Sequence, residues 1–271
     1  MRQLPSDGNT GIHPHRLEQR RDVAQGWAPV APAAALRYGF DTTEVLPDYL
    51  VRHYRWAYLW PASVWFFDHQ PIINAILFGN YRTIMRHTMR LMQSDHAGRT
   101  LLIAAVYGEL IAKLARVVDE LHVADVAPIQ LRAAARKLEA AGQSARLARM
   151  DAEYLTYGDD GFDTALMFLL IHEMPPQARR NSLRQAVRVL RRGGRLVIAE
   201  YGELGRSHPL HRFAPFRWTL TTAEPFLDGF WNEDLARVLR ACAADQDKDV
   251  EIEEQVDIFG GFYRVVSYRI T

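Results

Sequence analysis

Two hydrophobic periods divide the chain near residue 99. From Tyr81 to Met92, Ile84, Thr88 and Leu91 fall on one stripe and Arg82, Arg86 and Arg90 on another, the spacing of a helix with one packed face. From Thr100 onward, short apolar runs alternate with helical stretches. The runs predict strands over residues 101–106, 121–124, 145–150, 162–170 and 195–200, and the stretches between them predict helices over 109–118, 128–141 and 176–191. Such βαβα alternation predicts a parallel sheet covered on both faces. Residues 250–257 and 262–270, joined by Gly260-Gly261, predict an antiparallel hairpin at its edge.

The chain before residue 99 reads differently. Residues 1–37 are rich in Pro, Arg and polar residues, with an Ala/Pro linker over 28–36, and predict a mobile tail without the apolar core of a secretory signal. Residues 38–98 predict an aromatic, mostly helical cap, and residues 99–271 the α/β domain. An aromatic and basic insertion over about residues 204–232 is expected to form part of a substrate lid; its His208 and His211 receive no role. The most apolar stretch, Trp56 to Tyr81, carries Asp68 as its only formal charge, yet Pro61, Asp68 and Pro71 interrupt any run long enough to span a bilayer. Trp56, Tyr58, Trp60, Trp65, Phe66 and Phe67 favour a headgroup region, so shallow peripheral membrane contact is expected; the same rings can also seal a site from water.

Charge narrows the classes further. Lys plus Arg number 33 against Asp plus Glu 32, which provides no global field for nucleic acid. Arg180, Arg184, Arg188 and Arg191 lie at helical spacing, chiefly a solvated face. Cys242 is the single cysteine, which excludes an internal disulfide and a cysteine-rich zinc cage and fits an intracellular protein.

In open α/β sheets ligands sit beyond the carboxyl ends of the strands. Asp125, after the second predicted strand, is a candidate for the two hydroxyls of a ribose, or for a helix N-terminal acid before Pro128. Asp151, after the third, is a candidate partner for an adenine amino group, or an ordinary loop acid. His172 and Glu173 follow the fourth strand, and Glu200 ends the fifth.

With Asp125-Val126-Ala127-Pro128, Asp151-Ala152-Glu153, Phe162-Asp163 and Arg188-Val189-Leu190 before Gly193-Gly194, residues from about 100 to 271 resemble class I S-adenosylmethionine-dependent methyltransferases, especially the quinone C-methyltransferases of ubiquinone and menaquinone synthesis. The resemblance implies a Rossmann-like fold with a mostly parallel seven-stranded sheet beneath the aromatic cap. It implies S-adenosylmethionine held by Tyr107, Gly108, Asp125, Val126, Asp151 and Ala152.

One loop departs from that pattern. Closely spaced glycines normally let the backbone approach the methionine part of the cofactor; here Ala104-Ala105-Val106-Tyr107-Gly108-Glu109 contains one. Together with the cap segment, this variant loop is similar to the RquA family of rhodoquinone-biosynthesis proteins, over residues from about 45 to the C-terminus. That resemblance implies conversion of ubiquinone to rhodoquinone, with S-adenosylmethionine supplying nitrogen and Mn(II) assisting, by a peripheral protein on the cytoplasmic face of the inner membrane that meets ubiquinone in the bilayer. Oligomeric state is open.

A methoxyquinone is a vinylogous ester, so an amine can displace the alkoxide once the opposing carbonyl is polarised, as a Lewis-acidic metal would do. Manganese prefers oxygen and imidazole ligands, and Glu109, His172 and Glu173 are the candidates, with Asp68 and His69 in reserve. Glu109 is expected to orient or deprotonate the cofactor's amino group, while His172 and Glu173 hold the metal or act as acid and base. A pocket-lining or helix-capping role for His172 and Glu173 stays open. Tyr58 and Tyr81 are candidates for the quinone channel, or simple core. Two other functions fit the fold: a quinone or lipid methyltransferase, and a non-catalytic quinone-binding protein.

Overall fold

A computed structural model describes residues 46–93, 98–203 and 208–271. The expected mobile tail, the first residues of the cap and the start of the lid insertion lie outside the described residues. Five short helices open the described chain: α1 Asp48–His53, α2 Arg55–Tyr58, α3 Pro61–Phe67, α4 Gln70–Ile76 and α5 Tyr81–Met92. Pro61 and Pro71 sit in the first turns of α3 and α4, where a missing N–H costs nothing, and they keep these cap helices apart.

The α/β part then runs β1 Arg99–Ile103, α6 Leu110–Leu114, β2 Glu120–Asp125, α7 Pro128–Ala140, β3 Arg146–Arg149, β4 Phe162–Phe168, α8 Pro176–Val189 and β5 Leu190–Tyr201. After it come α9 Ala214–Ala223, α10 Leu227–Trp231, α11 Leu235–Ala244, β6 Val250–Ile258 and β7 Tyr263–Ile270. The seven strands form one sheet in the order β3-β2-β1-β4-β5-β7-β6. Strands β1 to β5 are parallel, and β7 pairs antiparallel with both β5 and β6. This is the parallel sheet that the periodicity predicts, with the C-terminal hairpin at its edge, in the mostly parallel Rossmann-like form that the resemblance implies.

Strand β1 lies between β2 and β4, so the chain reverses its winding there: Ile103 pairs with Ala124 on one side and Met167 on the other. That switch point opens a crevice at the carboxyl end of the sheet. Both central strands end earlier than their apolar runs. Ala104 adopts φ +68° and Leu169 φ +51°, each with its N–H still bonded to the neighbouring strand, at Ala124 and Ala199 respectively. A left-handed conformation costs a non-glycine residue about 1–3 kcal/mol, and such strain gathers where a site is shaped. Strand β5 starts at Leu190 rather than Arg195, because a bulge between the pairs Phe162–Leu190 and Thr164–Arg195, with Gly193 at φ +76°, absorbs the Gly-Gly segment into the strand. The expected helix over 109–118 is regular only over α6.

The arginine stripe of α8 does more than meet solvent. Arg188 donates to the carbonyls of Leu155 (2.7 Å) and Tyr157 (2.8 Å), fixing the loop after β3, while Arg191, which falls beyond α8 in β5, pairs with Asp163.

The cap is fastened to the loop after β1 by two sets of bonds. The Tyr107 hydroxyl donates to the Ala57 carbonyl (2.7 Å) and accepts from Gln130 (3.0 Å), which also donates to the Tyr58 carbonyl (3.2 Å). Lys137 pairs with Asp68 and donates to the Val106 carbonyl (3.0 Å), while Asp68 accepts the Gly108 amide (2.8 Å). Burial pulls the Lys137 ammonium below the usual lysine range, with Asp68 opposing. Lys137→Met should therefore strand Asp68 and cost about 2–4 kcal/mol in chemical denaturation, in the lower range for breaking a buried pair because Asp68 is partly exposed. Adding Asp68→Asn should return part of that loss, and strict additivity of the two would disprove the coupling.

Candidate active site

The carboxyl ends of β1, β2, β3, β4 and β5 open into a cavity of about 230 Å3, roofed by the cap and by the segment before α10. Tyr107, Asp125, Val126, Asp151 and Ala152, the residues that the sequence offers for a nucleoside, line one part of it. Asp125 is buried and accepts the amides of Ala105 and Ala127, each at 2.7 Å. Burial pushes its carboxyl up to about 6, against the pull of those two amides. Each oxygen keeps a second lone pair, so capping the loop and receiving ligand hydroxyls are compatible. Asp151 closes a local turn by accepting the Glu153 amide at 3.0 Å.

The variant loop divides its residues between two sides. Tyr107 faces the cavity, where its ring stacks on Tyr58 with centroids 5.7 Å apart and planes within 10°. Gly108, at φ +77°, faces the core: a Cβ there would strike the Tyr81 hydroxyl, so packing and not cofactor approach demands the glycine. Tyr81 is correspondingly core. It is fully buried behind the loop, donates to the Tyr107 carbonyl at 3.1 Å and does not line the cavity, which corrects its expected place in a quinone channel.

Glu109 is corrected as well. The left-handed turn at Gly108 carries it to the outside, where it is half exposed, pairs with Lys113 at 2.8 Å and fronts a separate groove with Arg82, Arg86 and Arg116. It is therefore apart from His172 and Glu173, and neither the catalytic nor the metal role expected of it fits this placement. Of the two reserve candidates, Asp68 fastens the cap, and His69 is exposed with Nδ1 against the Trp65 carbonyl at 2.7 Å.

At the other part of the cavity four ionisable groups converge. His172 Nδ1 lies 2.8 Å from Glu200 Oε2, and both residues are buried. Glu200 is anchored further by the amides of Ile171 (2.8 Å), His172 (3.4 Å) and Tyr201 (3.1 Å). His172 Nε2 faces Glu173, 3.9 Å from Oε1, and ligand atoms of His172, Glu173 and Glu224 all lie within 4.8 Å of one another. Tyr58 donates to Glu173, and Tyr54 donates to Glu224 at 2.9 Å.

These neighbours set the charges. Burial alone would lower His172, but the adjacent Glu200 charge and hydrogen bond, helped by Glu224 and Glu173, raise it to about 9. Burial would raise Glu200, yet His172 and the backbone amides hold it below the usual carboxylate range. Burial and the like charge of Glu224 push Glu173 up to about 8, and burial raises Glu224 too. An imidazole whose far nitrogen is held by a carboxylate and whose near nitrogen faces two more carboxylates is a donor set suited to a hard or borderline divalent ion.

Arg179 assembles the two halves of this cluster. Its guanidinium is buried and donates to the carbonyls of Ile171 (2.9 Å) and Met174 (3.0 Å), which bracket the His172-Glu173 turn. It also reaches the Phe226 carbonyl (3.5 Å) two residues beyond Glu224, pairs with Glu233 and lies over the Phe230 ring at 5.0 Å.

Sequence reasoning missed Glu224, Arg179 and Tyr54. Arg179 stood one place off the arginine stripe and could have been found as the cation on the apolar side of α8. Glu224 and Tyr54 carry no local signal, since their meaning comes from packing against segments about 50 and 170 residues distant in sequence.

Residues 101–194 match the family model of a methyltransferase domain. Among curated relatives, the ubiquinone/menaquinone biosynthesis C-methyltransferase UbiE of Azotobacter vinelandii is 28% identical over 154 residues, 53% of this chain and 60% of that protein. Its counterpart in Proteus mirabilis is 30% identical over 131 residues, 46% of this chain and 51% of that protein. The chain thus spans between about half and three-fifths of the length of the relatives it matches. Among solved structures, magnesium protoporphyrin IX methyltransferase from Synechocystis aligns with TM-score 0.56 at 12% identity over 83% of this chain and 97% of that one. An S-adenosylmethionine-dependent methyltransferase from Clostridium acetobutylicum gives 0.54 at 11% identity over 73% and 96%. Residues 101–194 are therefore similar to a methyltransferase domain, and the likeness to the solved structures shows a Rossmann-like fold of the kind these enzymes have over most of the chain.

Two outcomes follow from the cluster. Because folding raises His172 above its ordinary 6.5, the pair stabilises the protein fully below pH 6.5 and loses that contribution as pH rises through about 9. Glu200→Gln should remove this alkaline limb from urea-denaturation profiles and drop the His172 imidazole titration, followed by NMR, below the ordinary value; an unchanged titration would refute the pairing. Arg179→Met should cost about 3 kcal/mol or more, since it leaves Glu233 and several carbonyls without their donor, and equilibrium unfolding will show it.

Proposed function

We propose that this chain is an S-adenosylmethionine-dependent transferase acting on a quinone ring, and that it exchanges a ring methoxy group of ubiquinone for an amino group to form rhodoquinone. The observation that carries the reading is the convergence of His172, Glu173, Glu224 and Glu200 on one part of a cavity whose other part holds Asp125 and Asp151. Methyl transfer from a sulfonium to a ring carbon asks for one base at most. Displacing an alkoxide from a vinylogous ester asks for a polarised carbonyl and a proton donor: the cofactor's amino nitrogen bonds to the ring as the C–O bond breaks and methanol leaves. Freeing that nitrogen then asks for a base to take the Cα proton, whose electron pair reduces the quinone, and for water to hydrolyse the resulting imine to a keto acid and the aminohydroquinone, the reduced form of the aminoquinone. This cluster has groups for these proton transfers.

The residues divide the work. Asp125 and Asp151 hold the nucleoside of the cofactor, with Val126 and Ala152 completing the wall. His172 through Nε2, Glu173 and Glu224 would hold Mn(II), and Glu200 fixes the imidazole tautomer that leaves Nε2 free for it. A divalent ion bound there supplies Lewis acidity to a quinone carbonyl. Tyr58, stacked on Tyr107 and bonded to Glu173, offers an aromatic wall to a planar ring and a hydroxyl beside its oxygen. Trp56, Phe67 and Leu77 keep water from the ring.

C-methyl transfer to a quinone is the second reading, favoured by the curated relatives named above. Product mass separates the two. Ubiquinone in detergent, incubated with the protein, Mn(II) and S-adenosylmethionine carrying a nitrogen-15 amino group, should yield a nitrogen-15 aminoquinone. A methylated quinone would instead establish the second reading. Glu224→Gln and Glu200→Gln should each weaken Mn(II) binding by about 10–100-fold, followed by electron paramagnetic resonance without any quinone present. Unchanged binding in both would remove the metal from the mechanism.

A further inference from the structure

Helix α3 is turned against the usual sense of an amphipathic helix. Its small Val64 is buried, while Trp65 is 68% exposed and Phe66 45%. Trp60 ahead of it and Trp56 in α2 are also about half exposed. Phe66, Phe67 and Trp56 are joined by successive ring contacts at 5.3 and 5.7 Å, so the rings form a continuous surface and not scattered side chains. On α4, Ile73 is buried but Ile76 is 49% exposed.

The cavity opens on this same surface. Trp56 and Ile76 are exposed and also line the cavity, and the wall between them, Phe67, Ile73 and Leu77, is apolar. An apolar ligand therefore enters through the aromatic face.

The charge around it is mostly positive. The described cap, residues 46–93, contains Arg52, Arg55, Arg82, Arg86 and Arg90 against Asp48 and Asp68. Asp68 is neutralised by Lys137, and Arg90 by Glu254. Arg52 and Arg55 are exposed on α1 and α2 beside Trp56, and Arg82 and Arg86 follow exposed Phe78 along α5.

We propose that this cap face seats on the surface of an anionic lipid bilayer, the tryptophans at headgroup depth, the arginines against lipid phosphates, and the cavity mouth opening into the lipid. Amphipathic rings gain most at that depth, and each nearby cation adds attraction to an anionic leaflet. A protein seated here would stopper the mouth, whereas lipid leaves it open to apolar ligands. The purpose of the contact, delivery of a long-tailed quinone, rests on the function proposed above; the contact itself does not.

The test is co-sedimentation of the full chain with vesicles of pure phosphatidylcholine and of phosphatidylcholine with one quarter phosphatidylglycerol, in low and high salt, without quinone. Binding to the anionic vesicles should exceed binding to the neutral ones and weaken with salt. Replacing Trp60, Trp65 and Phe66 together by Ala, none of which lines the cavity, should lower partitioning by about tenfold or more. Arg52→Glu with Arg55→Glu should abolish the preference for anionic lipid. Quenching of wild-type tryptophan emission by brominated acyl chains gives a second reading that needs no variant.

The triple variant should also keep its turnover of a short-tailed, water-soluble quinone while losing turnover of a long-tailed quinone held in vesicles. Absence of vesicle binding, an unchanged triple variant, or self-association through this face in its place would overturn the proposal. Vesicle binding with no conversion of either quinone would leave the surface standing and overturn the function.

Discussion

Glu200, next to the last residue of β5, has no exposed surface, and a carboxylate there is tolerable only because every lone pair finds a donor. Three of the donors are backbone amides and the fourth is His172. That single pair fixes much else. It holds the turn after β4 against the end of β5 and ties up Nδ1 of the imidazole, which leaves Nε2 facing Glu173 and Glu224. Without the pair, Glu173 and Glu224 would lack the fixed imidazole around which they gather.

The cluster is assembled from distant pieces, and two arrangements keep them in register. Arg179 ties the His172-Glu173 turn to the segment that delivers Glu224, using a planar fork that satisfies carbonyls from both sides. The bonds from Asp68, Lys137, Gln130 and Tyr107 tie the cap to the loop after β1. The loop carries a single glycine, and its backbone polar groups are held by Tyr81 and Asp68 of the cap and by Lys137 and Asp125 of the sheet domain. Cap and loop are therefore held against each other by one set of bonds. Strain at Ala104 and Leu169 sits where these two assemblies meet.

The order of strands and helices was legible from hydrophobic period, since a parallel strand buried on both faces needs a continuous apolar run and a crossover helix needs one apolar stripe. Strand ends were less legible. Val106 and Leu170 continue the apolar runs of β1 and β4, but the backbone turns at Ala104 and Leu169, and nothing in an alanine or a leucine announces a positive φ. Gly193-Gly194 reads as a turn and became part of β5 through a bulge that only its pairing with β4 defines.

The same division runs through the site. In a parallel sheet all strand ends point the same way, so Asp125, Asp151, His172 and Glu173, each just past a strand, were bound by the sequence itself to share one edge of the molecule. Glu109 stands equally close to a strand end, yet one left-handed residue before it sends the side chain to the far side of the loop. Glu224 lies in a segment with no periodic signal, and enters the cluster because α10 packs beneath the turn after β4. Local periodicity determined which edge carries the chemistry; packing between segments far apart in the chain, and the sign of a single backbone angle, decided which carboxylates reach it.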